Sequence, residues 1–250
     1  MSTPAELSLD PKPIRVAAWR VVEAQHRIST MRIVGNLAEQ AVLEQLIEEA
    51  KPKIPPACAG LHWLLATPFR YAPYPEGSRF RRARQRDGAF YASEHVETAL
   101  AETAFYRLLF FAASPGTVLP TIPADLSAFE VAVASKRAID LTEPPLDAHE
   151  AWWTDLINYT PCQDLADQAR REDIEVIRSQ SVRDPERRRN ITVLAAAAFA
   201  DTKPLSAGQT WKILIRRDGV QVTLDGGERS LEFSISDFAA DSRLARLLTH

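Results

Sequence analysis

Apolar residues along this chain come in short runs, and the spacing within each run separates strands from helices. Val16–Val22 (VAAWRVV) is apolar with β-branched ends and predicts a strand. From Asn36 to Lys51 the pattern predicts a helix, with Asn36 as cap, Glu39 at the reciprocal capping position and Pro52 blocking extension. Ala89–Ala92 (AFYA) predicts a short strand, after which Ser93 is placed to cap a helix running to about Ala113. Thr160-Pro161-Cys162-Gln163 predicts a helix start, with a capping Thr, Pro at the first helical position and Gln at the third; the helix ends near Arg171. Ile174–Ile177 and Ile191–Leu194 read as buried strands. Trp211–Arg216 and Val220–Leu224 flank Asp218-Gly219, a pair suited to a tight hairpin, and Gly226-Gly227 leads into Leu231–Ile235. Helices and short strands interleave first and an antiparallel meander closes the chain, so the expected class is α+β with mixed small sheets.

Composition acts mainly by exclusion. With 46% hydrophobic and 25% charged residues the chain is an ordinary globular one, neither disordered nor fibrous. A net charge of −3 gives no overall basic surplus for gripping nucleic acid, although local patches stay open. No apolar run approaches the length of about 18 residues that spans a bilayer, and the polar, Pro-rich start lacks the features of a secretory signal. Cys58 and Cys162 are far apart, and His26, His62, His95, His149 and His250 show no metal-binding spacing. A cytoplasmic protein without metal is expected. Pro-containing breaks at 52–56, 68–75, 115–123, 144–145 and 204 isolate no second composition class.

Candidate chemistry centres on Glu102. The stretch Ala99–Ala113 (ALAETAFYRLLFFAA) is apolar nearly all round, and Glu102 and Arg107 are its only charged residues. They lie about 140° apart around the helix axis and cannot pair easily within it. A buried carboxylate is costly unless paired, so Glu102 needs either a cation from elsewhere or a polar cleft. An Arg-rich segment lies upstream: Arg70 in Phe69-Arg70-Tyr71, then Arg79, Arg81, Arg82, Arg84 and Arg86 around Gly77. Arg suits phosphate, but such a cluster is equally a solvated surface or a contact for nucleic-acid backbone. Tyr91 sits where a strand feeds the Glu102 helix, either lining a crevice or packing in the core. Ser181 follows the Ile174–Ile177 strand and is either a ligand contact or an ordinary turn residue. G-x-S-x-G, P-loop and G-x-G-x-x-G motifs are absent.

In order and spacing these pieces resemble the RES domain family, named for recurring Arg, Glu and Ser residues. The matching segments are Gly77-Ser78-Arg79-Phe80, Gly88-Ala89-Phe90-Tyr91-Ala92-Ser93, Thr98-Ala99-Leu100-Ala101-Glu102, and Ser181-Val182-Arg183-Asp184 with Asn190-Ile191; Trp19-Arg20 resembles the opening strand. The highly charged Glu186-Arg187-Arg188-Arg189 departs from the looser turn expected there. The resemblance implies an ADP-ribosyltransferase-like fold over 14–200, with 1–13 a flexible N-terminus and 201–250 a meander packed on the same domain. It implies a toxin of a type II toxin–antitoxin pair that consumes NAD as substrate, by degradation or by ADP-ribosyl transfer to a protein acceptor. The implied partner is an Xre-type DNA-binding antitoxin, with no direct nucleic-acid or membrane contact. Glu102 would be the catalytic carboxylate, with Arg79 and Tyr91 assisting; Arg70, Arg79, Tyr91 and Ser181 would contact NAD. The alternatives are a nucleic-acid-binding or RNA-cleaving toxin using Arg79–Arg86, and a non-catalytic interaction module.

Overall fold

Strand pairing in the computed structural model, which describes residues 7–24, 34–71, 76–114, 116–206 and 208–245, joins the expected small sheets into one eight-stranded mixed sheet. The first six residues of the expected flexible N-terminus and the last five of the chain lie outside the described residues. The strands are β1 (Lys12–Glu23), β2 (Phe90–Ser93), β3 (Ala124–Asp140), β4 (Val176–Gln180), β5 (Arg189–Val193), β6 (Gln209–Ile215), β7 (Gly219–Leu224) and β8 (Ser230–Ser234). Among the described residues there are five α-helices: α1 (Leu37–Ala50), α2 (Trp63–Arg70), α3 (Val96–Ala113), α4 (Glu150–Trp153) and α5 (Thr160–Arg171). The class is α+β.

The order β1-β2-β5-β4-β3 closes on itself, because β3 also pairs along most of β1, from Glu23↔Leu126 to Lys12↔Ala138. The ring interior is filled by Ala18, Phe90, Ala92, Val131, Val133, Val176, Ile191 and Val193, at least one from each of its five strands. Since side chains alternate across a strand, the residues between these face outward: Tyr91 and Ser93 on β2, Asn190 and Thr192 on β5, Ile177 and Ser179 on β4. Only β3 with β4 runs parallel.

Two helices cover the outer surface. Leu100, Ala104, Phe105 and Leu108 of α3 pack with Trp211, Ile213, Val222 and Phe233 of the β6–β8 meander. The meander itself is attached by β6, which pairs with the first residues of β3. Cys162, Leu165, Ala166 and Ala169 of α5 pack over Ile139 and Ile177. No helix among the described residues is long and apolar enough to cross a membrane.

Two caps differ from the sequence expectation. Helix α3 starts at Val96 after His95, which makes no capping bond, while the hydroxyl of Ser93 donates to Asn190 instead. Helix α5 starts one residue earlier than expected, after Tyr159, and the Gln163 amide donates to the carbonyls of Ser78 and Arg81. In both cases a distant partner outcompetes the local capping bond. At α1 the expected cap forms: Asn36 accepts from the Glu39 amide at 2.9 Å.

Candidate active site

Glu102 projects from α3 toward the outer face of β5 and the turn after β4. Its Oε1 accepts two hydrogen bonds at 2.7 Å, one from the Ser181 hydroxyl and one from the Asn190 side-chain amide. Both donors are neutral. Glu102 forms no ion pair among the described residues, its Oε2 has no hydrogen-bond partner there, and the residue remains partly exposed beside the buried face of the helix. The other charged residues of the helix are paired elsewhere, Arg107 with Glu23 of β1 and Glu97 with Arg229.

The two donors are themselves fixed. Ser181 is fully buried and its Oγ also accepts from the backbone amides of Arg183 and Asp184, so one hydroxyl closes the turn and holds the carboxylate. Asn190 accepts from the Ser93 hydroxyl at 2.7 Å, which orients its amide nitrogen toward Glu102. One turn back on α3, the Thr98 hydroxyl donates to Asp184 at 2.6 Å and ties the helix to the same loop.

Tyr91 faces the Gly77–Arg82 loop. Its hydroxyl bonds the Ser78 hydroxyl at 2.7 Å and accepts from the Phe80 backbone amide at 3.2 Å. Burial raises its pKa, so the phenol stays neutral. Gripped on both sides, Arg79 between them turns away, donates to the Trp153 carbonyl at 2.8 Å and lies 4.6 Å from the centre of the Tyr159 ring. Burial opposes the Arg79 charge, and Cys162, Tyr159 and Glu102 more than offset this, so its pKa is raised. Arg79 and Glu102 thus feel each other without forming an ion pair. The structure brings Glu102, Arg79 and Ser181 together around Tyr159, with Tyr91 buttressing the Arg79 loop. Arg70 stands apart: its guanidinium donates to Glu48 of α1 and to the Pro52 carbonyl.

Several members of the cluster were not among the expected site residues. Arg183 is buried, lies 3.7 Å from the centre of the Phe105 ring and pairs with fully buried Asp241 at 2.9 Å. Asp241 also pairs with Arg243 at 2.7 Å, and Arg243 donates to the Tyr159 hydroxyl at 3.2 Å. Burial pushes the Tyr159 phenol up, but Arg79, Arg243 and Arg183 outweigh it and hold the phenol below the usual tyrosine value. Asn190 lay within a quoted motif, and its neighbour Ser93 was read as a cap. Nothing local in the sequence marks Asp241 or Arg243, whose roles come from partners far away in the chain, Arg183 for Asp241 and Tyr159 for Arg243.

A solved structure similar to this chain is the MbcT–MbcA toxin–antitoxin complex of M.tuberculosis, at 11% identity and a TM-score of 0.43 over 92% of this chain and 90% of the matched one. No curated protein matches. A family model described as the RES domain matches residues 54–215. That span holds Arg79, Tyr91, Glu102 and Ser181 and exceeds half of the sequence; the chain belongs to the RES domain family.

Proposed function

We propose that this protein cleaves the nicotinamide–ribose bond of NAD and acts as the toxin of a toxin–antitoxin pair, held in check by an Xre-type DNA-binding antitoxin. Family membership supports the toxin assignment. The observation that carries the chemistry is Glu102, held at one oxygen by two neutral donors with no cation on it. Such a carboxylate keeps its negative charge available for the substrate.

The bond in question breaks through an oxocarbenium-like state, in which positive charge grows on the ribose. In this reading the Glu102 oxygen without a partner holds the ribose hydroxyls and stabilises that charge. Arg79 offers its remaining N–H groups to the pyrophosphate. Ser181 fixes the carboxylate, and Tyr91, placed on the nicotinamide side by the family resemblance, holds the Arg79 loop through Ser78 and Phe80. Arg70 enters only if substrate displaces it from Glu48. Nicotinamide departs as a neutral ring and needs no strong general acid.

The reading in which Arg79–Arg86 grips nucleic acid has less support. Arg82 is held by Asp164 and Asp167, and Arg81 donates to the backbone carbonyls of Tyr71, Gln85 and Arg86. Those guanidiniums brace the loop and do not form an open phosphate-binding surface.

The test is Glu102→Gln, which keeps the shape and both accepted hydrogen bonds while removing the charge. Nicotinamide release from NAD should fall at least about a hundredfold with the melting curve preserved; an unchanged rate would overturn the assignment. With labelled NAD and cell extract, label on a discrete protein marks ADP-ribosyl transfer, whereas free ADP-ribose marks degradation.

A further inference from the structure

The family match ends at residue 215, yet the segment after β8 reaches back into the site. It is pinned there. Ser234 and Asp237 form a reciprocal cap on the turn Ile235–Phe238. The Phe238 ring meets Phe105 of α3 edge-on at 5.7 Å, and Leu244 is fully buried in the same cluster. Between these anchors stands Asp241, fully buried, with a guanidinium on either side: Arg183 from the turn after β4 and Arg243 from its own segment.

The geometry of Arg243 is specific. Asp241 takes its Nε at 2.9 Å and its Nη2 at 2.7 Å, a fork that fixes the guanidinium plane. The same Nη2 donates to the Leu156 carbonyl at 2.9 Å and to the Tyr159 hydroxyl at 3.2 Å. Its Nη1 has no partner among the described residues, and the side chain keeps 29% of its surface exposed. Arg79 approaches the same Tyr159 ring and uses only Nη1, leaving Nε and Nη2 without partners there. Two guanidiniums at one tyrosine thus hold unused donors, and the nearer to that ring, Arg79, also feels the Glu102 charge. Three arginines stand against two carboxylates here, Arg79, Arg183 and Arg243 against Glu102 and Asp241, so the cluster carries a surplus positive charge. The Tyr159 phenol, held below its usual range by those arginines, registers that field.

We propose that the segment Ile235–Leu244 is a wall of the active site, and that Arg243, oriented by Asp241, completes with Arg79 a two-guanidinium subsite for a phosphate or pyrophosphate group. The inference deepens the NAD-cleavage reading and rests on it for the identity of the ligand: the pyrophosphate of the dinucleotide would lie between Arg79 and Arg243, with the ribose toward Glu102. Asp241 is a positioning residue, acting through Arg243.

The test is calorimetric titration of the full chain with ADP-ribose and, separately, with inorganic pyrophosphate, alongside steady-state NAD cleavage. Arg243→Gln should weaken binding of ADP-ribose about tenfold and raise KM for NAD by a similar factor, with kcat within about twofold. Arg243→Lys, which keeps charge but loses the fork, should recover part of the loss, and serves alone if the Gln variant does not fold. Pyrophosphate binding that depends on Arg243 and matches ADP-ribose identifies a general phosphate site; ADP-ribose binding alone identifies a nucleotide site. A folded Arg243→Gln or Arg243→Lys protein that binds both probes as the wild type does would overturn the subsite, as would wild-type protein that binds neither. Failure of the catalytic reading looks different: probe binding that depends on Arg243 in a protein that releases no nicotinamide.

Discussion

A carboxylate on an apolar helix must find donors or give up its charge. Glu102 finds two, both neutral, and forms no ion pair among the described residues. Ser181 is the more consequential of the pair, because its Oγ bonds Glu102 and the amides of Arg183 and Asp184 together. Ser181→Ala orphans two buried amides and halves the support of the carboxylate. The expected cost is about 1–3 kcal/mol by urea unfolding, with NAD cleavage down about tenfold through kcat. A variant of full stability and full activity would show that the hydroxyl does neither job. Glu102 was legible in the sequence because a lone acid in ALAETAFYRLLFFAA conflicts with its surroundings, and a conflict is visible locally. Arg183, Tyr159 and Asp241 were not, because an Arg, a Tyr and an Asp in polar stretches conflict with nothing until the fold supplies their partners.

Elements were legible where the hydrophobic period was short and bounded by turns. The meander strands match within two residues, and Gly219 lets β8 lie close on β7: an added Cβ would come within 2.2 Å of the Phe233 carbonyl oxygen. The longest strand, β3, was missed. Its signal was present in the alternation of Leu126 with Ala128 and of Val131 with Val133, but Lys136 and Arg137 interrupt it, and the strand serves three partners in turn. Helix α2 was missed because Pro68 reads as a break, although the helix continues through it to Arg70. The Gly77–Arg82 loop shows what such elements do for the site. It is closed by a Ser78–Arg81 backbone bridge and braced by Gln163 and Arg82, and the Tyr91 hydroxyl adds the bonds on either side of Arg79. Tyr91→Phe should leave stability within about 1 kcal/mol while raising KM for NAD severalfold, since the two bonds flanking Arg79 are lost. Unaltered KM would mean that Arg79 is aimed without the Tyr91 hydroxyl.

Net charge, read over the whole molecule, conceals the local surplus around Tyr159: a chain at −3 gathers three guanidiniums near one phenol. The Arg183–Asp241–Arg243 group, built on fully buried Asp241, also locks the C-terminal segment to the part of the chain matching the family. Burial pushes the Asp241 carboxyl up, but the bonds from Arg243 and the nearby Arg183 outweigh it and hold its pKa below the usual aspartate value. Asp140, between Thr142 and Arg178, is lowered against its burial in the same way. A carboxyl whose folded pKa lies below its unfolded one contributes stability that is complete above the unfolded value, about 4, and is lost as pH falls through the folded value. Wild-type unfolding free energy should therefore be insensitive to these two groups between pH 5 and pH 8, as rough bounds, and decline below about pH 4. Asp241→Asn leaves two facing guanidiniums without their shared anion and should cost about 3 kcal/mol at neutral pH. The cost should shrink in acid, because below about pH 4 the unfolded wild-type chain takes up a proton that folding must release, which the Asn variant does not. Urea unfolding of both proteins at neutral pH and near pH 3 checks this, and a gap of constant size would mean that Asp241 acts through its shape and not through its charge.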